Sequence, residues 1–290
     1  MDLPFTSGGT NCAATLFLPT EVKSTKLPCI VLGHGFGGVR KMLTPYAEAF
    51  AAQGWAALTF DYRNFGDSDG DNRQVLSVAG QLDDWRAAIK HARSLPEVDG
   101  DRIAIWGSSL GGGHVISIAS EDHRVRAVVA QVPHISGWAA FRALGVLKTL
   151  HLAPFVALDI IKSLLFNRRY RLDLMGAPGS KAIMTGDDSS GFLKEAMRLA
   201  PGTCIQVAAA SVLSIARYFP GVRIPNIRCP LLMLIANGDG TTPAAVALAA
   251  AKSAQHSEVL QYDCGHFDVY IEPIFSRAVQ AQINFLKRHL

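Results

Sequence analysis

Short, mostly apolar runs punctuate this chain at 28–32, 55–60, 103–106, 126–130 and 229–236, with a more mixed one at 258–262, and most are followed by glycine or polar residues. Runs of this kind, without polar alternation, fit strands buried on both faces of a sheet. Between them lie segments of helical period. Residues 43–53 end at Gly54, and 76–95 place Leu82, Trp85, Ile89 and Ala92 on one helical face before Pro96 stops the helix. An alanine-rich helix is expected over 243–254, and a last one from Pro273 to the end of the chain. Residues 5–9 and 10–18 read as an antiparallel edge hairpin turning at Gly8-Gly9, followed by a polar loop. Strand and helix in alternation predict an α/β fold, a mostly parallel sheet covered by helices on both sides.

The alternation stops between 135 and 228. Two apolar helical segments, 138–150 and 154–166, follow each other with no strand between them, and a loop rich in Gly, Pro, Ser and Asp spans 176–191. The expectation is one sheet domain formed by 1–134 and 229–290, with 135–228 inserted as a helical cap. Trp138, Phe141, Leu144, Leu147, Leu150, Phe155, Ile160, Leu164 and Phe166 make this insertion apolar; most are expected to pack it onto the sheet domain, and the rest to line a cleft.

Composition narrows the class. With 49% hydrophobic and 18% charged residues over 290 positions, the chain can bury a sizeable core. A net charge of +4, with only Arg168, Arg169 and Arg171 clustered, argues against a nucleic-acid partner. That cluster could meet a substrate carboxylate or phosphopantetheine, and a solvated surface is the simpler reading. The N-terminus has no basic and apolar leader pattern, and no uninterrupted apolar run reaches about 18 residues, so neither a secretory signal nor a membrane span is expected. Five widely spaced cysteines suggest free, mostly buried thiols in the cytoplasm.

The chemistry gathers around 102–115. A strand stops at Gly107 and a helix begins after Ser109, with Gly107 two before that serine and Gly111 two after. This is the frame of a nucleophile elbow, a turn so tight that its neighbours must be small. Ser108 is a filler of the turn. An alkyl hydroxyl needs a base, and His266, in a Gly-His loop after the last strand, can reach back over the strand ends. His91, His123, His256 and His289 read as solvated; His114 lies in the elbow helix, His151 in the insertion, and His134 too early in the chain. His34 reads as bracing its loop.

An imidazole in this role needs a carboxylate, and Asp239 follows the strand at 229–236 on the same rim of the sheet. Asp263 and Asp268, beside His266, stay open as alternatives. The oxyanion would need backbone donors: Leu110 at the start of the elbow helix, and Phe36 in the glycine-rich loop 33–38. No step calls for a cofactor or a metal.

Oxyanion loop, Ser, Asp and His, each after its own strand, together with the stretches at 30–38, 60–68 and 107–111, resemble the α/β-hydrolase superfamily over nearly the whole chain. More narrowly, 81–89 and 264–270 are similar to the dienelactone-hydrolase-like bacterial hydrolases and the fungal polyketide transferases. The resemblance implies eight strands, a helical cap after the sixth, and acyl transfer from Ser109 with Asp239 and His266, Phe36 and Leu110 being the oxyanion donors. A serine replaces the cysteine nucleophile of the dienelactone hydrolases proper. The expected activity is hydrolysis of a small-molecule ester or thioester with an apolar acyl group. The alternatives are an acyltransferase or polyketide transferase with the same residues, and a silent binding protein on this fold.

Overall fold

The computed structural model describes residues 1–21, 26–177, 179–186 and 188–290. Positions 22–25 of the expected polar loop, and 178 and 187 of the loop at 176–191, lie outside the described residues. In chain order the body begins with β1 (Phe5–Ser7), β2 (Thr10–Cys12), β3 (Ala14–Phe17), β4 (Leu27–Gly33), α1 (Thr44–Ala51), β5 (Ala56–Phe60), α2 (Val78–Ser94), β6 (Val98–Ser108), α3 (Leu110–Ala119) and β7 (Val125–Gln131). It resumes with β10 (Leu231–Ala236), α8 (Ala244–Ala251), β11 (Ser257–Tyr262) and α9 (Ile274–His289). Between them lie α4 (Gly137–Leu144), α5 (Val146–Phe166), β8 (Arg171–Asp173), α6 (Ser189–Leu199), β9 (Gln206–Ala208) and α7 (Ser211–Ala216).

Among the described residues the central sheet has seven strands, in the order β11-β10-β7-β6-β4-β5-β3. All neighbours run parallel except β3, which pairs antiparallel with β5. The alternation of a pleated strand divides its residues between two helical layers. Ile30 and Leu32 of β4 pack in one cluster with Tyr46 and Phe50 of α1 and Ile283 and Leu286 of α9. Val31 packs on the other side in a cluster with Trp85 and Ile89 of α2, Val115 of α3 and Ala247 of α8.

The expected count of eight strands is corrected to seven. Residues 10–18 do not form one strand. The chain breaks at Ala13, whose N–H donates to Ser68 Oγ at 2.8 Å, and β1 and β2 pair only with each other while β3 alone joins the sheet. The insertion therefore leaves after β7, the fifth strand of the central sheet in chain order, rather than the sixth. It is not purely helical either: β8 and β9 form a two-stranded antiparallel sheet, and α6 starts within the stretch read as loop. The boundary between its first two helices falls at Gly145, with φ +82°, and Pro154 lies inside α5 instead of opening it.

Two ion pairs explain motifs that the sequence made conspicuous. Arg63 donates to the fully buried Asp84 of α2 through Nε and Nη2 at 2.9 and 2.7 Å, which locks the loop after β5 onto that helix. Arg40 is paired with buried Asp61, and its backbone N–H donates to the same carboxylate at 2.6 Å. Both pairs fix the loop that begins at Asp61 after β5.

Candidate active site

The carboxyl ends of β4, β6, β10 and β11 deliver every candidate side chain to one rim of the sheet, because parallel strands end together on that side. At the end of β6 the backbone turns into α3 through Ser109, held at φ +56° and ψ −120°. A serine there is strained, and only tight packing on either side keeps it so. That packing requires glycine. A Cβ on Gly107 would lie 2.1 Å from the Gly111 carbonyl oxygen, and one on Gly111 would lie 2.6 Å from the carbonyl oxygens of Gly33 and His34.

Ser109 Oγ lies 3.0 Å from His266 Nε2. On the far side of the ring, Nδ1 lies 2.6 Å from Asp239 Oδ2. The carboxylate is itself aligned: Oδ1 accepts the backbone N–H groups of Thr241 and Thr242 at 2.8 and 2.6 Å, and Oδ2 accepts Thr242 Oγ1 at 2.8 Å. Burial works to raise the Asp239 carboxyl, but the charge and hydrogen bond of His266 and the Thr242 donors outweigh it, holding the group below its usual value. Both His266 and Asp239 are buried, while Ser109 keeps partial access to solvent. A hydroxyl, an imidazole and a carboxylate in this order can move a proton off the hydroxyl and stabilise the resulting imidazolium.

The other histidines lie elsewhere. His114 bonds Gln81 and Tyr218 in the core at 2.9 and 3.1 Å, His134 stacks on Tyr218, and His34 bonds its neighbour Gly35. Neither alternative carboxylate meets the imidazole: Asp263 accepts Asn237 Nδ2 at 2.6 Å, and Asp268 accepts the Gly265 N–H at 2.7 Å.

Leu110 is the first residue of α3, where backbone N–H groups have no partner in the helix. The loop of Phe36 reaches the same place, since a Cβ on Gly35 would lie 3.0 Å from Ser109 Cβ.

Several residues at the site carried no legible signal. Asp188, from the insertion, accepts the Phe267 N–H at 3.0 Å and so clamps the His266 loop. Phe192 of α6 stacks on Phe267 and meets Tyr270 at a tilt, with ring centroids 5.0 and 4.7 Å apart. Beneath the elbow runs a buried chain of amides and phenols. Tyr270 OH lies 2.6 Å from Ser108 Oγ, Gln131 Nε2 donates to Tyr46 OH at 2.9 Å, and Gln282 bridges Gln131 and Trp106 at 2.7 and 2.8 Å. The Gln131 carbonyl accepts the Ser109 N–H at 2.9 Å, which ties this chain to the elbow serine.

The apolar side chains of the first two insertion helices are placed otherwise than expected. Phe155 and Leu144 pack partly against the core, whereas Trp138, Phe141, Leu147, Leu150, Ile160, Leu164 and Phe166 face outward. Helix α5 buries only Leu152 and Asp159, so a largely apolar helix shows most of its surface to solvent. With 21 residues it is long and apolar enough to cross a bilayer by length and composition, although Lys148, Asp159 and Lys162 interrupt it. Of the arginine cluster, Arg169 is a structural residue, paired with buried Asp159 at 2.6 Å, and Arg171 donates to the Arg73 carbonyl at 3.2 Å; Arg168 is exposed. The five cysteines are free, but only Cys12 and Cys29 are buried, and Cys204 is exposed.

Comparison with known proteins agrees with this architecture. The chain matches the alpha/beta hydrolase fold family over residues 28–273. It is 41% identical to the quorum-quenching protein AidA of Acinetobacter baumannii over 292 residues, spanning 99% of this chain and 94% of that protein. It is 27% identical to the thiohydrolase aneE of Aspergillus aculeatus, spanning 90% and 85%. The solved structure of DcsB in complex with its substrate analogue superposes with a TM-score of 0.84 at 24% identity, covering 100% of this chain and 99% of that one, a likeness of fold. With the family matched across most of its length and an elbow serine at the sheet rim, this chain belongs to the α/β-hydrolase fold family.

Proposed function

We propose that the protein is a serine hydrolase that cleaves a carboxylic ester or thioester with an apolar acyl group through an acyl-serine intermediate. The observation that carries this reading is the continuous contact from Ser109 Oγ through the His266 ring to Asp239, at 3.0 and 2.6 Å. Ser109 attacks the carbonyl carbon as His266 Nε2 takes its proton. The oxyanion then forms against the N–H groups of Phe36 and Leu110, at the N-terminus of α3, where the helix dipole favours negative charge. Collapse breaks the C–O or C–S bond, and His266 returns the proton to the leaving alkoxide or thiolate. Water, deprotonated by the same imidazole, releases the acid and restores the serine.

Residues 1–134 and 229–290 act in this reading as the catalytic domain and 135–228 as its cap. The preference for an apolar acyl group is supported by what the insertion brings to the rim: Phe192 over the His266 loop, and Leu174 and Val207 against Gly37 beside Phe36. The thiohydrolase relative places thioesters among the substrates to test. An acyltransferase would use the same residues with an alcohol or amine in place of water. The cytoplasm is the compartment that suits five free thiols.

The test is to treat the protein and its Ser109→Ala variant with a fluorophosphonate probe and with p-nitrophenyl esters and acyl thioesters of increasing chain length. Labelling and turnover that both vanish in the variant are expected. A wild-type protein that neither labels nor turns over sinks the reading, and labelling followed by release only when an alcohol or amine is supplied favours the transferase.

A further inference from the structure

Helix α5 is built inside out. At 100° per residue, Lys148, Asp159 and Lys162 share the side of Leu152 that faces the protein. Each is engaged there: Lys148 Nζ donates to the Ser180 carbonyl at 3.1 Å, Lys162 sits over the Tyr170 ring at 5.5 Å, and Asp159 is buried against Arg169. The opposite side carries no charge. Leu147, Leu150, Pro154, Ala157, Ile161 and Leu164 run along it, spaced by three, four, three, four and three residues. The four large ones are 85%, 64%, 50% and 79% exposed, and Pro154 and Ala157 are exposed between them.

We propose that this face is the contact between two copies of the chain, formed by α5 packing antiparallel on α5 of a second copy about a twofold axis between Pro154 and Ala157. The spacing alternates between three and four residues, as along the seam of a helix that meets another helix. It also reads the same from either end, so a twofold axis sets Leu147 against Leu164 of the partner subunit, Leu150 against Ile161 of the partner subunit, and Pro154 against Ala157 of the partner subunit. Such self-complementarity is what an isologous interface requires. The smallest side chains fall at the centre, where two crossing helices come closest, and the antiparallel pairing sets each helix N-terminus beside the other's C-terminus.

Area agrees with this occupant. An aliphatic side chain offers up to roughly 120 Å² for burial. Counting only the exposed share of the four large residues and of Val146 and Leu165 beside them, the face supplies on the order of 500 Å² per copy, so that two copies reach about the 1,000 Å² a biological interface needs. A lipid surface would ask only for apolar area. It selects neither this spacing nor small residues at the middle.

Sedimentation velocity from 1 to 100 μM, in the absence of detergent, tests the proposal. The wild-type chain is expected to sediment as a dimer. Leu150→Glu, on a face exposed in the single chain, is expected to weaken association at least about 30-fold while leaving the thermal melt of the monomer unchanged. The double variant Leu150→Glu/Ile161→Lys sets each introduced carboxylate against the other copy's introduced ammonium and is expected to dimerise again. A wild-type chain that stays monomeric at 100 μM overturns the proposal, whether or not it binds phosphatidylglycerol vesicles. So does a dimer indifferent to Leu150→Glu, and a double variant that stays monomeric overturns the antiparallel pairing.

Discussion

Asp239 shows how little freedom a single side chain has at this site. Two backbone N–H groups hold Oδ1, which leaves Oδ2 for Thr242 Oγ1 and His266 Nδ1. In Asp239→Asn the side-chain oxygen is expected to keep the backbone donors, so an NH₂ faces Nδ1 and forces the tautomer that carries its proton on Nε2, pointing at Ser109. The imidazole can then no longer accept the serine proton. The expected loss is about 10³–10⁴-fold in kcat with KM nearly unchanged, read from steady-state kinetics on a p-nitrophenyl ester. Equal losses in the Asp263→Asn variant would contradict this assignment of the acid. The elbow serine was legible because steric rules act over five residues. Asp239 could be placed only on the correct rim, and Thr242, its main organiser, carries no signal of its own in a Thr-Thr-Pro turn.

At the scale of elements, Asp159 is the polar anchor of α5. Asp159 accepts Arg169 Nε and Nη2 at 2.9 and 2.6 Å, the Tyr170 N–H at 2.8 Å and the Ala210 N–H at 2.8 Å, so it joins the helix to β8 and to the turn before α7. Asp159→Ala leaves a guanidinium and two amides without their acceptor. The expected cost is roughly 3–5 kcal/mol of stability, checked by urea unfolding, with limited proteolysis cutting first between α4 and α7. Cleavage confined to the sheet domain would show that the insertion does not depend on this anchor. An acid in the middle of an apolar helix is visible in the sequence. Its meaning is not, because its partners come from 10 to 51 residues further on.

For the whole molecule, the buried histidines set the response to acid. Burial, with the nearby His134 and His34, lowers His114 to about 3. Burial, partly opposed by the Tyr218 carbonyl and helped by His266, lowers His134 to about 4. Once unfolded, both would titrate near 6.5. Between about pH 6.5 and 4 the unfolded chain therefore binds protons that the folded chain refuses, and stability falls as the pH falls through that window. Each histidine contributes a slope of up to roughly 1.4 kcal/mol per pH unit. Depressed carboxylates such as Asp239 and Asp122 add their own loss only as the pH falls below about 4, the unfolded value for such groups. Urea midpoints at pH 7, 6 and 5 are expected to decline for the wild type and to decline less steeply for His114→Gln. An identical slope in the variant would show that His114 does not carry it.

The sequence by itself determined what short-range physics controls. Strand and helix periods, the glycines around Ser109 and the order of oxyanion loop, Ser, Asp and His define a parallel sheet with one reactive rim. Only the tertiary structure decided the strand count, since the break at Ala13 is made by a hydroxyl 55 residues away. It also decided which side of α5 faces out. The few charges of this largely apolar helix face inward only because they find partners there, and those partners, Ser180, Tyr170 and Arg169, lie in segments that sequence periodicity did not resolve. The same holds for Asp188 and Phe192, which reach the His266 loop from an insertion whose fold is set by long-range pairing rather than by local pattern.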